Sequence, residues 1–86
     1  MPTLSTFYGI TIRMHWVDHA RPHFHASYSG DEAVFQVDPL LHLSGAFPER
    51  AVRHVLEWAK DHREDLLLDW DLLRERRPYF KIEGLR

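Results

Sequence analysis

The sequence predicts an α+β fold: a three- to five-stranded, mainly antiparallel sheet with two helices packed on one of its faces. Apolar and polar residues alternate along the first half of the chain, which is typical of strands with one buried face. Apolar residues in the second half recur every three to four positions, which is typical of amphipathic helices. With 86 residues there is room for one domain, residues 1–86, and for no second core.

The strand pattern is clearest on both sides of a loop at residues 18–22, and we expect all antiparallel strands to lie within about residues 7–43. The apolar positions of the strands that flank this loop are Ile10, Ile12, Met14 and Trp16, then Phe24, Ala26 and Tyr28. A third strand follows Gly30, which we place at the first central position of a type II′ turn. This turn pairs Ser29 with Glu32 and sets the register of the following strand.

Two helices are predicted after the strands, at about residues 49–62 and 64–77, and a C-terminal strand is predicted at about 79–83. The first helix has one apolar stripe, which we expect to face the sheet. The second helix carries two leucines, Leu68 and Leu72, nearly opposite its main apolar stripe. Either the chain wraps around this helix, or the two leucines contact a protein partner or a second copy in a homodimer.

Composition excludes several classes of protein. The chain has no cysteine, which rules out disulfides and thiolate metal sites and suits a reducing compartment. Its formal charge of −2 gives no general attraction to nucleic acid or to anionic membranes. No segment approaches the roughly 18 apolar residues of a membrane-spanning helix, and no basic segment leads into an apolar run near Met1. We expect a cytoplasmic protein that binds no membrane.

Four of the seven histidines lie around the first loop: His15, His19, His23 and His25. If that loop is symmetric about Ala20, His15 lies opposite His25, and the next turn places Asp38 beside His23. Directly opposite residues have Cβ atoms about 4.5–5.5 Å apart, a separation at which two imidazoles can bind one cation. The pattern therefore predicts a histidine-rich face on the sheet.

The first interpretation of this face is a site for zinc or another divalent transition metal. His15 and His25 would be the central pair, with His23, Asp38 or the loop residue His19 completing the site. The simpler alternative is a solvated polar face that carries histidines, on which His23 and Asp38 form an ion pair.

Two further functions fit the same residues. Arg13 would contact a phosphate while two of the histidines act as base and acid in nucleic-acid hydrolysis, although the acidic net charge disfavours this role. Alternatively, the chain is a plain interaction module that contacts its partner through Leu68, Leu72 or the sheet edge, with the histidines tuning the contact by pH. We favour a non-enzymatic role. We expect His62 to be a packing residue, and the sequence gives His54 no companion.

Several segments of the chain match the pattern of one known family. They are residues 7–10 (Phe-Tyr-Gly-Ile), 18–26 (Asp-His-Ala-Arg-Pro-His-Phe-His-Ala) and 56–59 (Leu-Glu-Trp-Ala), followed by His62 and Trp70. With them the chain resembles the bacterial family labelled domain of unknown function 4160, which has no established activity. The resemblance implies a small bacterial regulatory protein of the toxin–antitoxin-like type with a compact partner. Family members tend to have Asn-Pro-Pro-His in the loop, and Arg21 replaces the first of those prolines here.

Overall fold

A computed structural model describes residues 1–86 and shows five strands followed by two helices. The elements are β1 Thr3–Phe7, β2 Ile10–Arg13, β3 His23–Tyr28, β4 Asp31–Gln36, β5 Leu41–Ser44, α1 Glu49–Asp61 and α2 Arg63–Arg74. The strands form one sheet in the order of the chain, and each strand is antiparallel to its neighbours. Both helices pack against this sheet, which confirms the predicted α+β class. Neither helix is long and apolar enough to span a membrane.

The first hairpin differs from the prediction: the strand expected from Tyr8 to Val17 forms only at Ile10–Arg13, and β1 begins before the predicted range of residues 7–43. Tyr8 and Gly9 form the two-residue loop between β1 and β2, with φ angles of 50° and 78°. Positive φ at both central positions is the signature of a type I′ turn. Buried and exposed residues do not alternate along β1, because a bulge near Leu4 and Ser5 buries both of these neighbouring side chains.

The hairpin of β3 and β4 also contains a type I′ turn, and not the expected type II′ turn. Its central residues are Ser29 and Gly30, with φ angles of 48° and 86°. The turn therefore pairs Tyr28 with Asp31, and every pair of β3 and β4 is shifted by two residues from the predicted register. Because the shift is even, each side chain stays on the face of the sheet that the sequence pattern predicts.

The apolar face of the sheet, covered by the helices, forms one core of 17 buried hydrophobic residues. Trp58 of α1 is fully buried at its centre and contacts the rings of Phe7 and Phe24, with centroid separations of 5.3 Å and 5.9 Å. Its indole N–H donates a hydrogen bond to the carbonyl oxygen of Glu83 at 2.8 Å. Trp58 thus joins the sheet, α1 and the C-terminal segment.

Helix α2 ends earlier than predicted, at Arg74 and not at residue 77. Arg76 adopts a left-handed conformation with a φ of 57°, and its N–H bonds to the carbonyl of Leu73. A left-handed residue just after the last turn is a common way to end a helix. The helix is therefore closed before Pro78 can interrupt it.

The predicted C-terminal strand at residues 79–83 does not form. This segment instead runs along the molecule with two anchors: Ile82 donates to the carbonyl of Leu4 at 2.7 Å, and Phe80 donates to Oδ1 of Asp69 at 3.0 Å. Asp69 is fully buried on α2, and its Oδ2 has no partner. Burial raises the pKa of Asp69, the bond from Phe80 opposes this rise, and Asp65 adds to it.

Candidate functional site

Three of the predicted metal ligands, His15, His23 and His25, lie together where β2 ends and β3 begins, and we refer to them as the histidine cluster. The ring centroids of His15 and His25 are 5.5 Å apart, and those of His23 and His25 are 5.6 Å apart. The third separation, between His15 and His23, is 6.5 Å. All three side chains are half-buried.

The cluster forms in a register that the sequence did not predict. Strands β2 and β3 pair Arg13 with His25, so the connection is symmetric about His19 and not about Ala20. His15 is therefore diagonal to His25 and stacks on it, with an angle of 17° between the ring planes. The expectation that His15 lies directly opposite His25 is wrong, yet the even shift keeps both rings on the same face.

The structure does not bring the other two predicted ligands to the cluster. His23 pairs with Gln36 and not with Asp38, which lies beyond the end of β4 and is exposed. No ion pair joins His23 to Asp38, so that part of the simpler alternative is wrong, whereas the solvated face that carries histidines stays a prediction. His19 has a side chain that is 92% exposed, and its Nε2 lies 3.4 Å from Oδ2 of Asp18.

Burial and the neighbouring imidazoles favour neutral His25. Burial lowers the pKa of His25 below its usual value of 6.5, and repulsion from His23 and His15 lowers it further. Glu32 opposes this shift with a smaller effect. A neutral imidazole keeps one lone pair, and such a nitrogen is the form that binds a metal ion.

One histidine of the cluster, His23, is arranged as metal-binding histidines often are, and His15 has an unsatisfied nitrogen. The Nδ1 of His23 lies 2.9 Å from the carbonyl oxygen of Arg21, which can only accept, so this Nδ1 carries the proton. The Nε2 of His23 is then left with its lone pair, as in sites where a carbonyl orients the ligand. The Nδ1 of His15 is buried and has no partner, a condition that costs about 1–3 kcal/mol unless a ligand satisfies it.

The spacing of the rings can be compared with that of a zinc site. A zinc–nitrogen distance of about 2.0–2.1 Å and tetrahedral angles place the centroids of two ligating imidazoles about 5 Å apart. The separations in the cluster are 5.5–6.5 Å. No group of three or more histidine or carboxylate side chains is oriented to hold a metal ion as it stands. The ring planes of His15 and His25 are nearly parallel, and the nitrogen lone pairs lie in those planes. The lone pairs therefore do not converge on one ion, and the rings would have to rotate to bind it.

Comparison with known proteins adds the family to this geometry. Residues 9–71 match the family model described as domain of unknown function, DUF4160. The chain belongs to the DUF4160 family. The matched segment of this chain contains the whole histidine cluster and both helices up to Asp71. No curated protein and no solved structure matches this DUF4160 chain.

The lowered pKa of His25 gives this DUF4160 domain a pH-dependent stability. The unfolded chain takes up a proton at His25 once the pH falls below about 6.5, whereas the folded chain resists it. We therefore expect the free energy of unfolding to fall between pH 7 and pH 5. The loss should be modest, because solvent screens the charge of a ring that is only partly buried.

Urea unfolding at several pH values checks this expectation, with His25→Gln as the variant and His19→Ala as the matched control. We expect a flatter dependence for His25→Gln and an unchanged dependence for His19→Ala, since His19 is almost fully exposed. The raised pKa of Asp69 acts in the opposite direction, but it is common to all three proteins and cancels in the comparison. Parallel curves for the wild type and His25→Gln would contradict the assignment.

The predicted phosphate contact, Arg13, lies beside the cluster. Its guanidinium donates to the Ser27 hydroxyl at 3.4 Å, and a cavity of about 60 Å³ next to it is also lined by His25 and Glu32. The carboxylate of Glu32 repels a phosphate in this position. The surroundings of Arg13 therefore suit a phosphate poorly, which weakens the hydrolase interpretation.

The predicted partner contact lies on α2, the helix whose Trp70 ring is 5.1 Å from the ring of His23. Leu66 and Trp70 face the core and are buried, whereas Leu68 is 50% exposed and Leu72 is half-buried. The apolar side of α2 that carries Leu68 is therefore not fully covered by the chain itself. Contact with a partner protein or with a second copy stays a prediction.

One group of polar side chains has no counterpart in the sequence-based prediction. Tyr8, Tyr28, Arg50 and His54 line a groove between the first turn, the end of β3 and the start of α1. The rings of Tyr8 and His54 are 4.9 Å apart, so His54 does have a companion. The signal in the sequence was the aromatic residue before Gly9, an unusual choice for a tight turn. His62 packs on Trp58, as expected for a packing residue.

Proposed function

We propose that this DUF4160 domain is a small bacterial interaction protein of the toxin–antitoxin-like type, and that its histidine cluster binds one divalent transition metal, zinc above all. The observation that carries the metal part is the close approach of three imidazoles, with centroid separations of 5.5–6.5 Å. The interaction part is supported by the family resemblance and by the exposed Leu68 on α2.

The chemistry of the donor set supports a borderline divalent ion. Three neutral imidazoles suit zinc, copper or nickel, whereas magnesium and calcium prefer oxygen ligands. A site with three protein ligands leaves the fourth tetrahedral position for water or for a side chain of the partner. In the second case the metal would link the domain to its partner.

Completing the site requires the rings to rotate and to move closer together. The rings of His15 and His25 must rotate about their Cβ–Cγ bonds, and this torsion has a broad energy profile. His23 is already oriented by the carbonyl of Arg21. Binding also gives the buried Nδ1 of His15 a partner, which offsets the cost of the rotation.

Metal analysis tests the proposal on untagged protein dialysed against zinc. We expect one zinc per chain for the wild type and none for the double variant His15→Ala, His25→Ala. The single variants His19→Ala and Asp38→Ala are matched controls that should keep the metal, because neither residue belongs to the cluster. Circular dichroism confirms that each variant is folded. Zinc at 100 times its Kd should also raise the free energy of unfolding of the wild type by about 2.7 kcal/mol.

Wild-type protein that takes up no metal would refute the metal part, as would equal zinc content in the wild type and the double variant. The same protein samples test the alternative function, a small histidine-based or metal-dependent nucleic-acid hydrolase. Cleavage of RNA by the wild type and not by the double variant would replace the binding role with catalysis.

A further inference from the structure

A groove lined by Tyr8, Tyr28, Arg50 and His54 shares no residue with the histidine cluster. It has a volume of about 520 Å³, within the range of pockets that bind small molecules. Besides the four polar side chains, it is lined by the apolar residues Ile10, Pro48 and Ala51. No carboxylate lines the groove.

The polar side chains of this groove are free to bind a ligand. None of the four forms a hydrogen bond or an ion pair within the protein. Arg50 differs in this from Arg53, one turn further along α1, which pairs with Glu49. The groove therefore offers a guanidinium, an imidazole and two hydroxyls, and all of these groups can donate hydrogen bonds.

The backbone at Tyr8 is strained, and this conformation places the Tyr8 ring at the groove. Tyr8 has a φ of 50°, and a bulky residue at a positive φ is an outlier, because the left-handed region suits Gly, Asn and Asp. Gly9 lets the ring of Tyr28 approach, since a Cβ there would lie 3.3 Å from that ring. The strained turn holds the half-exposed Tyr8 ring beside His54, and strain of this kind is typical of functional sites.

We infer that the groove binds a small aromatic phosphate monoester of the nucleoside monophosphate type. The planar ring of such a ligand stacks on Tyr8 and Tyr28, as nucleobases do on aromatic side chains. Its phosphate contacts Arg50 and His54. A phosphate fits better than a carboxylate, because its three terminal oxygens can accept hydrogen bonds from more of the donors in the groove.

Titration of the full-length, isotope-labelled protein with adenosine 5′-monophosphate, followed by NMR, tests the inference. We expect saturable shifts of the amide signals of Tyr8, Gly9, Tyr28 and His54. Adenosine and inorganic phosphate, used as separate probes, should each bind at least tenfold more weakly. The double variant His15→Ala, His25→Ala should bind the nucleotide as the wild type does, so failure of the metal site leaves this inference standing.

Two substitutions separate the phosphate contact from the stacking contact. Arg50→Gln should weaken nucleotide binding at least tenfold and leave adenosine binding unchanged, whereas the matched control Arg53→Gln should bind both as the wild type does. Tyr8→Asn removes the ring and relieves the strained turn, because Asn tolerates a positive φ. We expect this variant to be at least as stable as the wild type and to bind the nucleotide at least tenfold more weakly.

Three results would overturn the inference. The first is the absence of a saturable shift with the nucleotide, and the second is an equal loss of affinity in Arg50→Gln and Arg53→Gln. The third is tighter binding of benzoate than of the nucleotide, which would assign the groove to an aromatic carboxylate.

Discussion

Replacing Trp58 by alanine is expected to lower the free energy of unfolding by about 4 kcal/mol, since truncating a buried tryptophan costs about 3–5 kcal/mol. The side chain is fully buried and contacts Phe7 of β1 and Phe24 of β3. The cavity would open between α1 and the sheet, among the rings of Phe7 and Phe24. For a chain of this length the loss is a large part of the total stability. Urea unfolding followed by circular dichroism measures it.

The variant Trp58→Phe separates packing from hydrogen bonding. It keeps an aromatic ring against Phe7 and Phe24 but cannot donate to the carbonyl of Glu83. We expect a loss of about 1–2 kcal/mol, mostly from that hydrogen bond and from the smaller ring. If Trp58→Phe were as destabilising as Trp58→Ala, the anchor of the C-terminal segment, and not the core contact, would dominate the role of Trp58.

The faces of the sheet and of α1 could be predicted from the sequence because they follow from local periodicity. Alternation in β3 places Phe24 and Ala26 in the core and His23 and His25 on the other face. Strand β1 could not be predicted in this way. Its bulge buries Leu4 and the neighbouring Ser5, which removes the period of two.

The register of the β3–β4 hairpin depends on the type of its turn, which the sequence leaves open. Glycine tolerates a positive φ at either central position, so Gly30 fits a type II′ turn as well as a type I′ turn. In the structure the turn is of type I′, because Ser29 also adopts a positive φ, of 48°. That single residue moves every pair of β3 and β4 by two positions and takes Asp38 away from His23.

Of the two candidate sites, one could be predicted from the sequence and the other could not. The histidine cluster could be predicted because its members lie within eleven residues of the chain, from His15 to His25, and share one face. The groove beside Tyr8 could not, because Tyr8 and His54 meet only when α1 packs beside the first turn. The C-terminal anchors of Phe80 and Ile82 have the same tertiary origin.

Replacing Gly45 by alanine should be the most damaging single-methyl change in the chain, with a loss of about 3 kcal/mol or more in the free energy of unfolding. Gly45 follows β5 with a φ of 91°, a conformation that costs a residue with a side chain about 1–2 kcal/mol. The added Cβ would also collide with the carbonyl oxygen of Glu32 and lie 2.7 Å from the Cα of Ala33. Both atoms belong to the backbone of β4, so relief requires β5 to separate from its neighbour.

The variant Gly30→Ala is the matched control, because it has the same backbone conformation without the collision. Gly30 has a φ of 86°, and a Cβ built there has no neighbour within 4 Å. Its loss should therefore be limited to the backbone cost of about 1–2 kcal/mol. The difference between the two variants in urea unfolding measures the steric part of the Gly45 effect. Equal losses would mean that β5 can separate from β4 without lowering the free energy of unfolding. The pairing of these two strands would then contribute little to the stability of the sheet.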